Sequence, residues 1–381
     1  MELVLQRKLR IVLVVIACVL MGGALCPAGA ADVTVCTENL FNYGIPEDVQ
    51  RLRYPERTLQ QVRGRILRQE KALLTRMAAC DIVAVQEVVG DEQQRALSAL
   101  DRLGRLLSRS TGRRYSALVA DTSDVIRNGF LFRSDGDLSE VQFDGAHTSD
   151  PLPRIPRFDE VHWKRGPAEL VVELRQEELP QETGSPRGSD APRKGRRGAD
   201  APKRSAVTLR VISAHLKSKR EAGSPDPKHE KWERIRVVEA SGLLGLATRR
   251  MREQPEELLL VAGDMNNDRG SPTQEALSGE IDPASLLSPR DCIDEEARLA
   301  CDLPRRTPLL INLLDRAPDL RGKGSYRFNR HEELIDVIFA SPRTARTARK
   351  PGGAAEDYDV GLIGRFGSGS DHLLARVTLH L

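Results

Sequence analysis

The 381 residues show no internal repeat, no cysteine–histidine cluster at zinc-ligand spacing and no long hydrophobic run beyond the amino terminus. The first absence excludes a solenoid or propeller. The second argues against a structural or catalytic zinc centre. The third excludes several membrane spans, and the lack of a long aromatic hairpin argues against insertion into a lipid surface. Charge of one sign is lacking too, because 58 lysines and arginines nearly balance 55 aspartates and glutamates. A net charge of +3 offers no case for a polyanionic partner, so any such case must rest on local clusters. What is present, 40% hydrophobic and 30% charged residues, is the composition of a folded soluble chain.

The first residues differ from the rest. Arg7, Lys8 and Arg10 precede the apolar run IVLVVIACVLMGGAL, which ends in the small-residue stretch PAGAA. This is the layout of a secretory signal covering residues 1–30, with cleavage expected after Ala30 and a secreted or periplasmic product. An uncleaved anchor and a lipoprotein with Cys18 as the modified residue are the alternatives. Cleavage removes three basic residues and Glu2, so the charge falls from +3 to +1. It also leaves Cys36, Cys80, Cys292 and Cys301. Cys292 and Cys301 flank a short polar segment and are expected to pair in an oxidising compartment. Cys36 and Cys80 sit in apolar contexts, where buried free thiols are at least as much expected as a disulfide.

Short runs rich in Val, Ile and Leu recur: VTVCTEN, DIVAVQE, GFLFRS, ELVVEL, TLRVISAHL, LLLVAGDM, LIDVIFAS and ARVTLHL. They read as strands, several buried on both faces. Helical stripes lie between them at residues 65–79 (Ile66, Leu67, Leu73, Leu74, Met77), 91–108 and 230–251. The alternation predicts a layered α/β domain. Residues 180–206 break the pattern, being rich in Pro, Gly, Ser and basic residues. Because strand candidates flank this segment, it reads as a disordered basic insertion in a hairpin, either an arm for phosphate backbone or a solvated loop.

Polar residues sit where strands end, which is where α/β sheets usually build their sites. Glu38 and Asn39 end the first strand, Gln86 and Glu87 the second, and His215 ends TLRVISAH. Asp264, Asn266 and Asn267 follow LLLVAG, and Ser370-Asp371-His372 precedes the last strand. One such carboxylate is usually a cap or a surface charge, but five strand ends carrying acids, amides and imidazoles are hard to attribute to capping. Hard oxygen donors with amides favour Mg²⁺, with Mn²⁺ also suitable, over zinc. Mg²⁺ keeps waters and open positions for phosphate oxygens, which suits phosphate-ester hydrolysis.

The ordered series TENLFN, VAVQEV, NGFLFRS, SAHLKSK, VAGDMNND, LIDVIFAS and GSDH resembles the endonuclease/exonuclease/phosphatase superfamily in its deoxyribonuclease I-like form, from about residue 33 to 381. The resemblance implies a four-layer α/β sandwich of two packed mixed β-sheets flanked by helices, forming one catalytic domain over 31–381. It further implies Glu87 as the principal metal carboxylate, with Asp371 on the metal side and Asn39 orienting phosphate and metal ligands. Asp264 and Asn266 would hold the attacking water, with Asp264 also beside the metal. His215 would contact the phosphate, and His372 would be the general acid or base, oriented by Asp336. One element departs from the pattern. The segment TSDVIRNG lacks the Tyr and Glu that support the phosphate and the first histidine, leaving Asp124 or Asn128 as substitutes.

Trp163, Lys164 and Arg165 are candidates for base stacking or phosphate pairing, and Lys217 and Lys219 for facing a polyanion. The expected activity is a metal-dependent phosphodiesterase, a nuclease acting on DNA or RNA as a monomer without stable membrane insertion. The competing readings are a phosphohydrolase for sphingomyelin or an inositol phosphate, and a catalytically dead binding module. The second is opposed by the presence of Glu87, Asp264, Asp336, Asp371 and His372 together.

Overall fold

The computed structural model describes residues 32–136, 138–154, 161–175, 206–219, 229–283, 306–328, 330–366 and 371–381. The expectations for the amino-terminal segment, for residues 180–205, for Cys292 and Cys301 and for Ser370 lie outside these residues.

Strand β1 (Val33–Gly44) shows how the sequence specifies the layers. Its side chains alternate: Val35 enters a core between two sheets, while Cys36 and Leu40 enter a second core beneath helices. Strand β2 (Ile82–Val89) repeats the pattern, with Ile82 and Ala84 facing the inter-sheet core and Val83 and Val85 facing the helices. Both strands are buried on both faces, which is why they read as nearly unbroken apolar runs. Helices α2 (Leu59–Met77) and α3 (Gln93–Thr111) cover the outer core with Val62, Ile66, Leu73, Leu100, Leu103 and Leu107. A capping box between Thr58 and Gln61 starts α2. Helix α1 (Pro46–Arg53) joins β1 to α2. Leu67, part of the expected apolar stripe, is instead 59% exposed.

The first sheet has the order β13-β14-β1-β2-β4-β3, with β3 at Tyr115–Val119, β4 at Ile126–Arg133, β13 at Val360–Ile363 and β14 at Leu374–Leu379. The second runs β5-β6-β7-β8-β12-β9, with β5 at Leu138–Ala146, β6 at Ala168–Arg175, β7 at Ala206–His215, β8 at Leu258–Asp264, β9 at Ile311–Asn312 and β12 at Asp336–Ala340. Each sheet has a parallel pair, β1/β2 and β7/β8, amid antiparallel neighbours. Strands β6 and β7 pair antiparallel, with Arg175 opposite Ala206.

Helix α4 (His229–Glu253) closes the far side of the second sheet through Val237, Leu243 and Ala247. Short helices α5 (Pro272–Ser278), α6 (Leu313–Arg316) and α7 (Pro342–Thr347) complete the shell. The result is the α/β sandwich of two mixed six-stranded sheets between helices that the sequence implied. A two-stranded hairpin, β10 (Tyr326–Phe328) with β11 (His331–Glu333), stands outside both sheets.

Cys36 on β1 and Cys80 just before β2 form a disulfide, with Cα atoms 6.0 Å apart. Parallel pairing of β1 and β2 brings the two positions together across 44 residues of sequence, a proximity that neither local context reveals. No helix among the described residues is long and apolar enough to cross a membrane.

Candidate active site

The sheets open into a cleft of about 610 Å³ at the ends of β1, β2, β7, β8 and β12. On the first sheet the β1/β2 register shifts between Asn39 and Tyr43, and the β2/β4 register shifts between Val85 and Val88. Phe41, Asn42 and Glu87 adopt positive φ of 50°, 55° and 61° within this bulge. Such backbone is strained for residues with a side chain and is held by its surroundings. Simple alternation would point Glu87 towards the helices with Val83 and Val85. The bulge turns it into the cleft instead. There its Oε2 accepts the Asn42 N–H at 2.8 Å and its Oε1 accepts from Asn39 Nδ2 at 3.3 Å.

Asn39 ties the two sheets together, donating also to Asp264 Oδ2 at 2.9 Å while its own Oδ1 accepts the Phe41 N–H at 2.8 Å. Asp264 accepts the Asn266 N–H at 2.7 Å, and Asn266, at φ 53°, donates to the Leu216 carbonyl at 3.1 Å. The parallel register of β7 and β8 sets His215 beside Asp264. His215 Nε2 lies 3.7 Å from Asp264 Oδ2 and 3.9 Å from Glu87 Oε1.

Burial, with Arg165 and His372 adding positive charge nearby, holds the His215 ring well below its ordinary pKa and therefore neutral. Arg165 Nη1 approaches both ring nitrogens at 2.7 Å, so the neutral ring can accept from it. Arg165 Nε in turn lies 3.4 Å from Asp124 Oδ2. Support for His215 therefore comes from Arg165, with Asp124 one step behind. Asn128 is turned away and donates to the Gly166 carbonyl at 3.1 Å.

Antiparallel pairing of β8 and β12 sets Asp336 opposite Asp264. His372 Nδ1 hydrogen-bonds Asp336 Oδ2 at 2.8 Å. Bridging of Tyr326 to His372 fixes the segment, and the Tyr326 ring lies 4.8 Å from the imidazole. Burial opposes charge on His372, but Asp336, then Asp264 and Asp371, outweigh it and lift its pKa to about 10. Burial, reinforced by Asp336, raises Asp264 to about 7.

Among the described residues, two groups of side chains bear on where a cation could sit. One carboxylate oxygen each from Asp264 and Asp336 and one His372 ring nitrogen lie within 4.8 Å of one another. The Asp336–His372 hydrogen bond, however, already occupies Nδ1. The second group is Glu87 and Asp371, which both line the cleft. There Asp371 is raised by burial and by Glu87, and its buried Oδ1 has no hydrogen-bond partner among the described residues. A hard divalent cation on Glu87 and Asp371 would meet that oxygen, so the residues fit the expected Mg²⁺ or Mn²⁺. Asn39 and Asp264 stand immediately behind.

Other strand-end residues serve the fold. Glu38 is fully buried on the face covered by α2, where it pairs with Arg76 at 2.5 Å, and Arg76 also donates to the His372 carbonyl at 3.0 Å. Gln86 links the sheets by donating to Ser213 Oγ at 3.1 Å, and Asn267 donates to the buried Glu233. Lys217 and Lys219 line the cleft, yet Lys219 pairs with Glu333 at 2.6 Å and Lys217 Nζ lies 4.2 Å over the Trp232 ring. Trp163 packs on the core beside Gly242 of α4, while Lys164 and Arg165 line the cleft. Tyr326, Arg53 and Phe41 also line it, and no local sequence pattern marks them.

No family model matches the chain, and no curated protein matches it. Among solved structures, an endonuclease/exonuclease/phosphatase family protein from Bacteroides thetaiotaomicron overlays with a TM-score of 0.43 at 13% identity, covering 92% of this chain and 98% of that one. Truncated TDP2 from Caenorhabditis elegans overlays at 0.45 and 14% identity, covering 92% and 98%. The human Nocturnin catalytic domain with bound sulfate overlays at 0.43 and 16% identity, covering 92% and 96%.

Proposed function

We propose that the chain is a divalent-metal-dependent phosphodiesterase of the endonuclease/exonuclease/phosphatase type, working as an exported nuclease. The observation that carries this reading is the convergence on one cleft of the Asp336–His372 pair and the Glu87, Asp371, Asn39 and Asp264 group, from strand ends of two different sheets.

Glu87 and Asp371 would hold the divalent cation, which when bound would offset phosphate charge and lower the pKa of water. The protein's own groups do the rest. Asp264 and Asn266 hold the water, while neutral His215 and Arg165 donate to phosphate oxygens. His372 keeps Nδ1 on Asp336, leaving Nε2 to move the proton. The water oxygen forms the new P–O bond, the ester P–O bond breaks, and the departing oxygen takes the proton.

Export is supported by the amino-terminal sequence and by the Cys36–Cys80 disulfide, a bond at home in oxidising compartments. Sequencing the amino terminus of the exported protein tests it, with Ala31 expected first. The activity is tested by assaying the purified protein on plasmid DNA, single-stranded DNA, RNA, sphingomyelin and bis(p-nitrophenyl) phosphate, with Mg²⁺ or with EDTA. Nucleic acid and the small diester should be cleaved only with the metal. Hydrolysis of lipid alone would overturn the nuclease, and turnover indifferent to EDTA would overturn the metal site.

A further inference from the structure

A second groove, about 1240 Å³, opens beside the catalytic cleft, and Phe41 and Asp371 line both. Its other wall is basic. Helix α2 contributes Arg68 and Lys71, one turn apart on an exposed face. Their side chains make no hydrogen bond or ion pair among the described residues.

Aromatic rings interleave with these cations. Phe366 is half-buried with the Arg327 guanidinium 4.3 Å from its ring centre, and Phe41 carries Arg65 at 4.8 Å. Each guanidinium braces one face of its ring. Cations that track a backbone beside rings that stack on bases are the two components of single-strand recognition.

We propose that this groove seats the strand flanking the scissile phosphate of a single-stranded polynucleotide, with Arg68 and Lys71 on its phosphates and Phe366 under a base. The inference rests on the phosphodiesterase reading and extends it to a polymeric substrate. A sugar phosphate or a lipid headgroup ends within the smaller cleft and has nothing to place on Arg68 and Lys71. A duplex keeps its bases stacked and offers none to Phe366.

The test separates binding from turnover. In EDTA, the affinity of a short oligothymidylate is followed by fluorescence anisotropy as salt rises from about 50 to about 200 mM. In Mg²⁺, the same proteins are assayed on bis(p-nitrophenyl) phosphate, which is too small to reach the groove. The double variant Arg68→Glu, Lys71→Glu should bind the oligonucleotide at least about tenfold more weakly and lose about 1.4 from its log–log salt slope, roughly 0.7 for each phosphate contact. Its kcat/KM on the small diester should stay within about twofold of the parent, which also verifies the fold. Phe366→Ala should weaken oligonucleotide binding roughly tenfold with little change in slope.

An unchanged affinity and slope in the double variant would overturn the proposal. So would a duplex bound as tightly as the single strand. If the parent protein fails to hydrolyse the small diester, the phosphodiesterase reading is what has failed, and the binding arm still decides the groove.

Discussion

At the scale of single residues, the proposed reaction divides one task between His372 and Asp336. Asp336 is fully buried and holds Nδ1, so the ring has one orientation and one nitrogen left for chemistry. His372→Ala should lower kcat by roughly 10² to 10⁴-fold, the usual worth of a positioned acid or base, with oligonucleotide affinity in EDTA nearly unchanged. Asp336→Asn should fall in the same range, because the amide leaves the ring without its counter-charge. Equal losses in affinity and kcat would instead mark the pair as structural. The pairing of these two residues is what the resemblance of LIDVIFAS and GSDH to the superfamily implies, and the structure places their side chains in contact. The sequence marks Arg165 only as one of three neighbouring candidates for base stacking or phosphate pairing. It precedes β6 in irregular chain, and nothing in its neighbours foretells contact with His215 fifty residues away. Glu38 and Gln86 share the strand-end pattern of Asn39 and Glu87 yet serve the fold, because alternation sends Glu38 to α2 and Gln86 to Ser213.

At the scale of elements, two backbone features aim the site. The β1/β2 bulge rotates Glu87 into the cleft, and its signature is positive φ at residues other than glycine, which no propensity scale anticipates. The other is the close approach of β7 to β8 that sets His215 against Asp264. A Cβ built on Gly263 would lie 1.9 Å from the Ala214 carbonyl oxygen, so the strands could not keep this register around a side chain. Gly263→Ala should therefore destabilise the protein by at least about 2 kcal/mol in urea unfolding and depress activity as the strands part. Gly112, at the end of α3, provides the contrast. It has φ 74° with nothing among the described residues within 4 Å of a Cβ, so Gly112→Ala should cost only about 1 kcal/mol and leave turnover intact. A similar cost at both positions would show that conformation, not the approach of β7, sets the requirement at Gly263.

At the scale of the whole molecule, the layers were legible because strands buried on both faces and amphipathic helices leave opposite periodicities. The edge strands β3, β5, β9 and β13 carry weaker patterns and emerged only with the fold. Away from the cleft, the second sheet carries a buried ion network that makes stability depend on pH. Glu169 on β6 is fully buried and accepts from Arg250 Nε at 2.9 Å and from the buried Arg210, with His147 Nε2 2.8 Å away. Burial works against its charge, but His147, Arg250 and Arg210 outweigh that and hold its pKa at about 2, against the ordinary 4.5. Because the folded value lies below the unfolded one, the stabilisation is complete above about pH 4.5 and disappears as pH falls towards 2. The gap corresponds to roughly 3 kcal/mol. Glu169→Gln should remove about that much at pH 7, and the difference from the parent should shrink steadily below pH 4.5 in denaturant unfolding followed across the acid range. Parallel stability curves for the two proteins between pH 5 and 2.5 would mean that the network is held by packing and not by the charge on Glu169.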